Sequence, residues 1–259
     1  MKIDIVSQDK KAGKLVFKLS ESDSAFANML RKTILDEVPT MAIDIVEFRQ
    51  NSSVLYDEII AHRLGLLPLK TDLKAYNLKD ECTCGGAGCS KCELMLMLKT
   101  KTNCVVYASD MESKDPKIVP VFPETPIVKL LKNQNLEFEA TACLGRGKEH
   151  AKWSPCLVHF TNEPDITINN SSPKLKEFKD KFPPQALDKS GKIDKKKIIE
   201  LNLADACDGI CDDIVKVKYN DNNFLFYVES WGQLPAKDIV EEAVKIIKQK
   251  LDDLAKKMD

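Results

Sequence analysis

Two apolar-striped helices, one near each end of the chain, set the strongest constraint on the fold. The first follows Ser22, Asp23 and Ser24, whose short polar side chains suit a helix amino terminus. Phe26, Met29, Leu30, Thr33 and Ile34 then recur at i, i+3, i+4, i+7 and i+8, one face of a helix. Pro39 stops it at or near Val38, because a proline ring disfavours helical backbone in the residue before it. Burying such side chains at about 2 kcal/mol each does no more than offset the ordering of about 15 residues, so this helix must dock on something. The second begins at Pro235, a favourable first-turn residue. Ile239, Val240, Ala243, Val244, Ile246, Ile247, Leu251 and Leu254 give it a wide apolar face. Two short terminal pieces thus carry more helix-borne apolar surface than one small sheet needs, and a surplus of that kind marks an interface. The plainer alternative is that both stripes pack on their own sheet.

Composition narrows the class. With 259 residues, 43% of them hydrophobic, the chain can bury a real core in two or three domains. Its 39 basic and 40 acidic residues nearly cancel, so no large nucleic-acid or membrane footprint is expected. No stretch approaches about 18 uninterrupted apolar residues, and MKIDIVSQDKK lacks the apolar core of a signal peptide. These features point to a cytoplasmic protein, whose nine cysteines serve as thiols or metal ligands and not as disulfides.

Between the helices the pattern is mostly that of strands. Residues 2–6 alternate, Asp9 to Gly13 makes a turn, and Leu15, Phe17 and Leu19 share a face of the next strand. Met41 to Arg49 reads as a strand with Ile43, Ile45 and Glu47 on one face. Asp57 to Leu66 is a short helix closed by Gly65 and Pro68. Further strands are expected at 94–100, 102–109, 135–144, 151–161 and 224–230. Pro116 to Pro126 carries four prolines and excludes regular helix. Residues 162–213 change character, being polar and rich in lysine and aspartate, with a Pro183-Pro184 break.

The strongest chemical signal is Cys82-Thr-Cys84-Gly-Gly-Ala-Gly-Cys89-Ser-Lys-Cys92. Four thiols in so short a run, with three glycines that let the loop fold around a point, suit a tetrahedral soft-metal site. Zinc is the default occupant and would staple the loop without doing chemistry. An iron–sulfur cluster and a reduced, metal-free loop are the alternatives. Cys104, Cys143 and Cys156 stand alone among apolar residues and read as small buried hydrophobes. Arg31, His62, Arg63, Lys148, His150 and Lys152 offer polar contacts, either as solvated surface or as an interface. There is no H-E-x-x-H, G-x-S-x-G or P-loop and only three histidines, so no catalytic residues are assigned.

Four blocks, in order, resemble one family. Phe26-Ala-Asn-Met-Leu-Arg-Lys-Thr-Ile-Leu-Asp-Glu-Val-Pro-Thr-Met-Ala-Ile-Asp44 is similar to the start of the D subunit of archaeal RNA polymerase. That family includes the eukaryotic third-largest polymerase subunit and, more distantly, the bacterial alpha subunit amino-terminal domain. Asn51-Ser-Ser-Val-Leu-Tyr-Asp-Glu-Ile-Ile-Ala-His-Arg-Leu-Gly-Leu-Leu-Pro-Leu69 is the second block, and Gly145-Arg-Gly-Lys-Glu-His-Ala-Lys-Trp-Ser-Pro155 the third. Phe226-Tyr-Val-Glu-Ser-Trp-Gly232, followed by the long helix, is the fourth.

The resemblance implies an α+β chain with a split dimerisation domain, residues 1–45 and 214–259, made of an antiparallel sheet plus two helices. Residues 46–161 would be an inserted mixed or β domain carrying the cysteine-rich loop 82–92, where similar loops in eukaryotic members bind zinc. Residues 162–213 would be a small extra, degenerate ferredoxin-like domain. Some archaeal relatives hold an iron–sulfur cluster there, but this chain offers only Cys207 and Cys211, so no cluster is expected. The helix stripes, through Phe26, Met29, Leu30, Ile34, Ile239, Val240, Val244, Ile247 and Leu251, would pair with the small subunit L. Arg31, His62, Arg63, Lys148, His150 and Trp153 would face the large catalytic subunits, with subunit N on the same platform. The implied role is a non-catalytic assembly platform within the DNA-directed RNA polymerase. Two rival classes stand beside it: a free-standing redox protein built on the cysteine loop, and an α+β protein that self-dimerises through its terminal helices.

Overall fold

The computed structural model describes residues 1–101, 103–188 and 190–258. The strand start expected at Thr102 lies outside them, as do Lys189 in the 162–213 segment and Asp259. The chain is α+β with antiparallel pairing. Its elements run β1 (Lys2–Asp9), β2 (Lys14–Ser20), α1 (Ser24–Asp36), β3 (Thr40–Asn51), α2 (Asp57–Gly65), β4 (Glu93–Lys101), β5 (Cys104–Tyr107) and β6 (Glu112–Ser113). There follow β7 (Pro126–Leu130), β8 (Asn135–Gly145), β9 (Cys156–Ile168), α3 (Leu175–Phe178), α4 (Lys195–Glu200), α5 (Ala204–Cys207), β10 (Val215–Ser230) and α6 (Ala236–Met258). One four-stranded sheet has the order β1-β2-β10-β9, a second β3-β8-β4-β6, and β5 pairs with β7.

Two compact units are built from interleaved segments. The first comprises Met1–Ile5, Phe17–Ala27 and Phe160–Phe226. In it Phe17 stacks on Phe226 with ring centroids 4.8 Å apart, and Phe160 packs edge-on to Phe224 at 5.5 Å. A separate apolar cluster gathers Ile166, Phe182, Ile193, Ile198, Cys207 and Val215. The described residues between 169 and 214 carry short helical turns around that cluster, with an isolated bridge between Leu187 and Ile193. Asp23 caps α1 as its position suggests, its Oδ1 accepting from Phe26 N–H at 2.7 Å. α1 ends at Asp36, two residues before the Val38 limit set by Pro39.

The second unit holds Val6–Val16, Asn28–His159 and the chain from Tyr227 onward. Its core is the inner face of β3, β8 and β4, where Met41, Ile43, Leu96, Leu98, Phe138 and Ala140 meet Ile60 and Leu64 of α2. Here the strand reading needs correction. Ile43 is buried but Ile45 is half exposed, because a β-bulge intervenes: Ile43 opposes Ala142 while Ile45 opposes the next residue, Thr141. Asp44 is the extra residue, alternation shifts by one, and Val46 and Phe48 turn inward instead. A second irregularity lies between Phe48 and Gln50.

Two strands are longer than their sequences announce. β10 begins at Val215, nine residues before the expected Phe224, running through the polar stretch Tyr219-Asn-Asp-Asn-Asn223. The strand expected from Ala151 starts at Cys156, after a 3-10 turn at Ala151–Trp153, and extends to Ile168. It contains Pro164, which cannot donate to a ladder but is tolerated because β9 is the outer strand of its sheet. β1 is the opposite edge and is exposed along its whole length.

Candidate metal centre and interface

The loop between Leu78 and β4 brings Cys82, Cys84, Cys89 and Cys92 together, their four sulfurs all within 4.8 Å of one another. Cys82 and Cys89 lie 3.6 Å apart, Cys84 and Cys92 3.6 Å, Cys89 and Cys92 3.7 Å. Sulfurs at about 2.3 Å from one tetrahedral ion are about 3.8 Å from each other, so the spacing fits a four-thiolate zinc site. The glycines are what allow it. Gly85, Gly86 and Gly88 all adopt positive φ, which other residues rarely do, and a side chain at Gly88 would strike the Glu93 carboxylate. Cys92 is fully buried, and burial pushes its thiol up to about 12; hydrogen bonds from the neighbouring thiols, Cys82 first, bring Cys84 down to about 6. Cys89 N–H already donates to the Cys92 sulfur at 3.2 Å, support of the kind that holds a ligand in place. Among the described residues no other group of three or more His, Cys, Asp or Glu side chains converges in this way. Cys207 is buried and Cys211 half buried, both packed in the apolar cluster of residues 166–215.

The loop is fastened at both ends. Lys79 pairs with Glu93 at 2.9 Å, closing its base, and Asp80 and Glu81, just before Cys82, both receive Arg146. Arg146 opens the turn that carries Lys148 and His150, which are exposed, as the sequence suggests for partner contacts. Trp153 is not available in that way. It is only 7% exposed, its Nε1–H donates to the Cys143 carbonyl, and its ring covers Gly145. Lys152 lies over that ring at 4.3 Å and pairs with Asp44, the residue extruded by the bulge, at 2.8 Å. A methyl at Gly145 would sit 2.4 Å from the indole, so Gly145→Ala should lose about 1–3 kcal/mol by overpacking. Urea unfolding reads that loss directly, and a neutral result would mean the ring is not held as described.

Arg31 is half buried and its guanidinium donates to Asn28 Oδ1. Arg63, on α2, donates to the Pro126 carbonyl at 2.6 Å, while His62 beside it is exposed.

The helix stripes divide into a covered and an open part. Leu30, Ile34 and Ile239 are 0–1% exposed, already buried by their own chain, so these three cannot form a partner's contact surface. Phe26, Val240 and Ile247 are half buried, and Met29, Val244 and Leu251 are open. Along α6 the burial ends after Ala243, and Leu254 and Met258 extend the exposed row. Val240, Val244, Ile247, Leu251, Leu254 and Met258 are spaced 4, 3, 4, 3 and 4. That is the heptad spacing of a seam that pairs with another helix. Met258 is legible in sequence only as the continuation of this spacing, and Arg146 and Asp44 carry no sequence signal of their own.

Comparisons with known proteins identify the family. Residues 43–155 match the RNA polymerase Rpb3/RpoA insert domain family. DNA-directed RNA polymerase subunit Rpo3 of Methanosarcina acetivorans is 37% identical over 100% of this chain and 98% of its own. The protein of the same name from Pyrococcus furiosus is 37% identical over 96% and 95%, and that of Archaeoglobus fulgidus 35% over 96% and 95%. No helix among the described residues is long and apolar enough to cross a membrane. Likeness of that extent, running from end to end through all four sequence blocks, places the chain in the family of archaeal DNA-directed RNA polymerase subunit Rpo3.

Proposed function

We propose that this chain is a non-catalytic assembly platform of an archaeal DNA-dependent RNA polymerase, acting by pairing with the small subunit L and presenting a surface to the large catalytic subunits. The observation that carries this reading is the heptad row on α6, open at Val244, Leu251, Leu254 and Met258, together with exposed Met29 on α1. An open apolar row of that length and spacing is the kind of surface another helix covers. Residues 1–45 and 214–259 would serve as the dimerisation domain, 46–161 as the insert and 162–213 as the extra domain. Arg31, His62, Arg63, Lys148 and His150 remain the contacts proposed for the large subunits, with subunit N docked on the same side. Zinc at Cys82, Cys84, Cys89 and Cys92 would be structural, holding the loop closed when bound.

Co-expression with subunit L tests the pairing. A one-to-one heterodimer by native mass spectrometry is the expected result. A stable homodimer that ignores subunit L would favour self-association through α6, and a lone soluble monomer would remove the platform reading.

A further inference from the structure

The cysteine loop, α1 from Asn28 onward and α6 lie in the same compact unit, and one side chain stands between them. Arg146 is one-quarter exposed and its two terminal nitrogens reach Asp80 at 3.2 Å and Glu81 at 2.5 Å. Those carboxylates occupy the 3-10 turn Lys79–Glu81 that leads directly into Cys82. On its other side Arg146 begins a turn closed by Glu149 N–H donating to the Arg146 carbonyl at 2.9 Å. This turn seats the carboxyl end of α1. Gly147 packs so tightly there that a Cβ would come within 2.1 Å of the Leu35 carbonyl oxygen. Lys148 N–H donates to the Asp36 carbonyl at 3.0 Å, satisfying a terminal carbonyl in a helix with no basic residue in its last turn. One residue on, Glu37 pairs with Lys250 of α6 at 2.8 Å, beside Leu251 of the exposed row.

We propose that Arg146 is a positioning residue that carries the order of the cysteine loop to the carboxyl end of α1 and to the exposed row of α6. This deepens the platform reading and rests on the metal assignment within it. Without an ion, the base of the loop is closed by Lys79 and Glu93, about a third of each side chain in water, and Asp80 and Glu81 beside it are more exposed still, at 64% and 61%, so none of these pairs holds the turn firmly by itself. With the four thiolates tied together, Asp80 and Glu81 are fixed against Cys82 and hold the guanidinium in its two-carboxylate grip. The turn at 146–149 is then held as well, and with it the capping contact to Asp36. The state of the loop thereby sets how well the pairing helices are fixed.

Hydrogen exchange on the full-length chain tests this, comparing zinc-loaded protein with protein stripped by a chelator. In the wild type, stripping should speed exchange at 33–38 and 145–150 by about tenfold or more, alongside 79–93. In Arg146→Gln the loop 79–93 should still respond to zinc, whereas 33–38 should become indifferent to it; Arg146→Lys, keeping one of the two contacts, should respond partially. Zinc per chain, measured on the same samples, separates the two levels. Uptake of one zinc with no response at 33–38 in the wild type overturns the coupling alone, as does a full response in Arg146→Gln. A chain that takes up no zinc overturns the metal assignment and the coupling with it.

Discussion

Val244→Asp and Leu251→Asp are expected to leave the chain folded and to abolish pairing with subunit L, while Leu30→Asp and Ile34→Asp unfold it. The difference follows from burial. Val244 and Leu251 are 46% and 60% exposed, so in the free chain a carboxylate at either stays hydrated. On pairing it would have to be dehydrated in an apolar seam, at a cost of several kcal/mol, or about a thousandfold or more in affinity. Leu30 and Ile34 are buried in the chain itself, and a charge there meets the same penalty on folding, of the order of a small domain's whole stability. Circular dichroism and heterodimer formation, measured on all four variants, give the pattern. Full pairing by both Val244→Asp and Leu251→Asp would mean that α6 does not meet the partner through this row.

Cys82→Ser and Cys92→Ser should each take zinc from about one per chain to none, while Cys104→Ser and Cys143→Ser leave it unchanged. Serine cannot supply the soft thiolate that a closed tetrahedral site needs, and three sulfurs leave a position open. Loss of the ion should also free residues 79–93 and cost about 2–4 kcal/mol, lowering the melting temperature by roughly 10 °C in a chain of this size. Elemental analysis and thermal unfolding on the same samples decide the matter. Stoichiometric zinc in Cys92→Ser would place the metal elsewhere, and a broad absorbance near about 400 nm in anaerobic protein would replace zinc by an iron–sulfur cluster.

The parts of the chain most legible in its sequence are those where one residue type has one use. Four cysteines spaced through a glycine-rich loop do converge on one point, and Asp23 and Pro39 bracket α1 to within two residues. Periodicity draws both apolar stripes but cannot say which part its own chain will cover, because Leu30 and Met29 look alike until the sheet beneath them is placed. Trp153, set among charged residues, resembles a surface aromatic. Only Gly145 hints at a ring needing room. β9 and β10 look shorter in sequence than they are because Pro164 and the run Asn220 to Asn223 are poor strand formers, tolerated where the sheet supplies the pairing. The bulge at Asp44 is invisible to any rule of two, since the rule fails at the very residue that matters.

That extra residue has a consequence for how the strand can change over evolutionary time. Ile43 and Val46 both face the core across it, so a chain lacking one residue there would keep its interior through plain alternation. What such a deletion would forfeit is the carboxylate that meets Lys152 above Trp153. The extra residue is thus not needed to keep the core face in register; what it adds is the Asp44–Lys152 pair, and relatives with a shorter strand at this point are expected to lack the lysine as well.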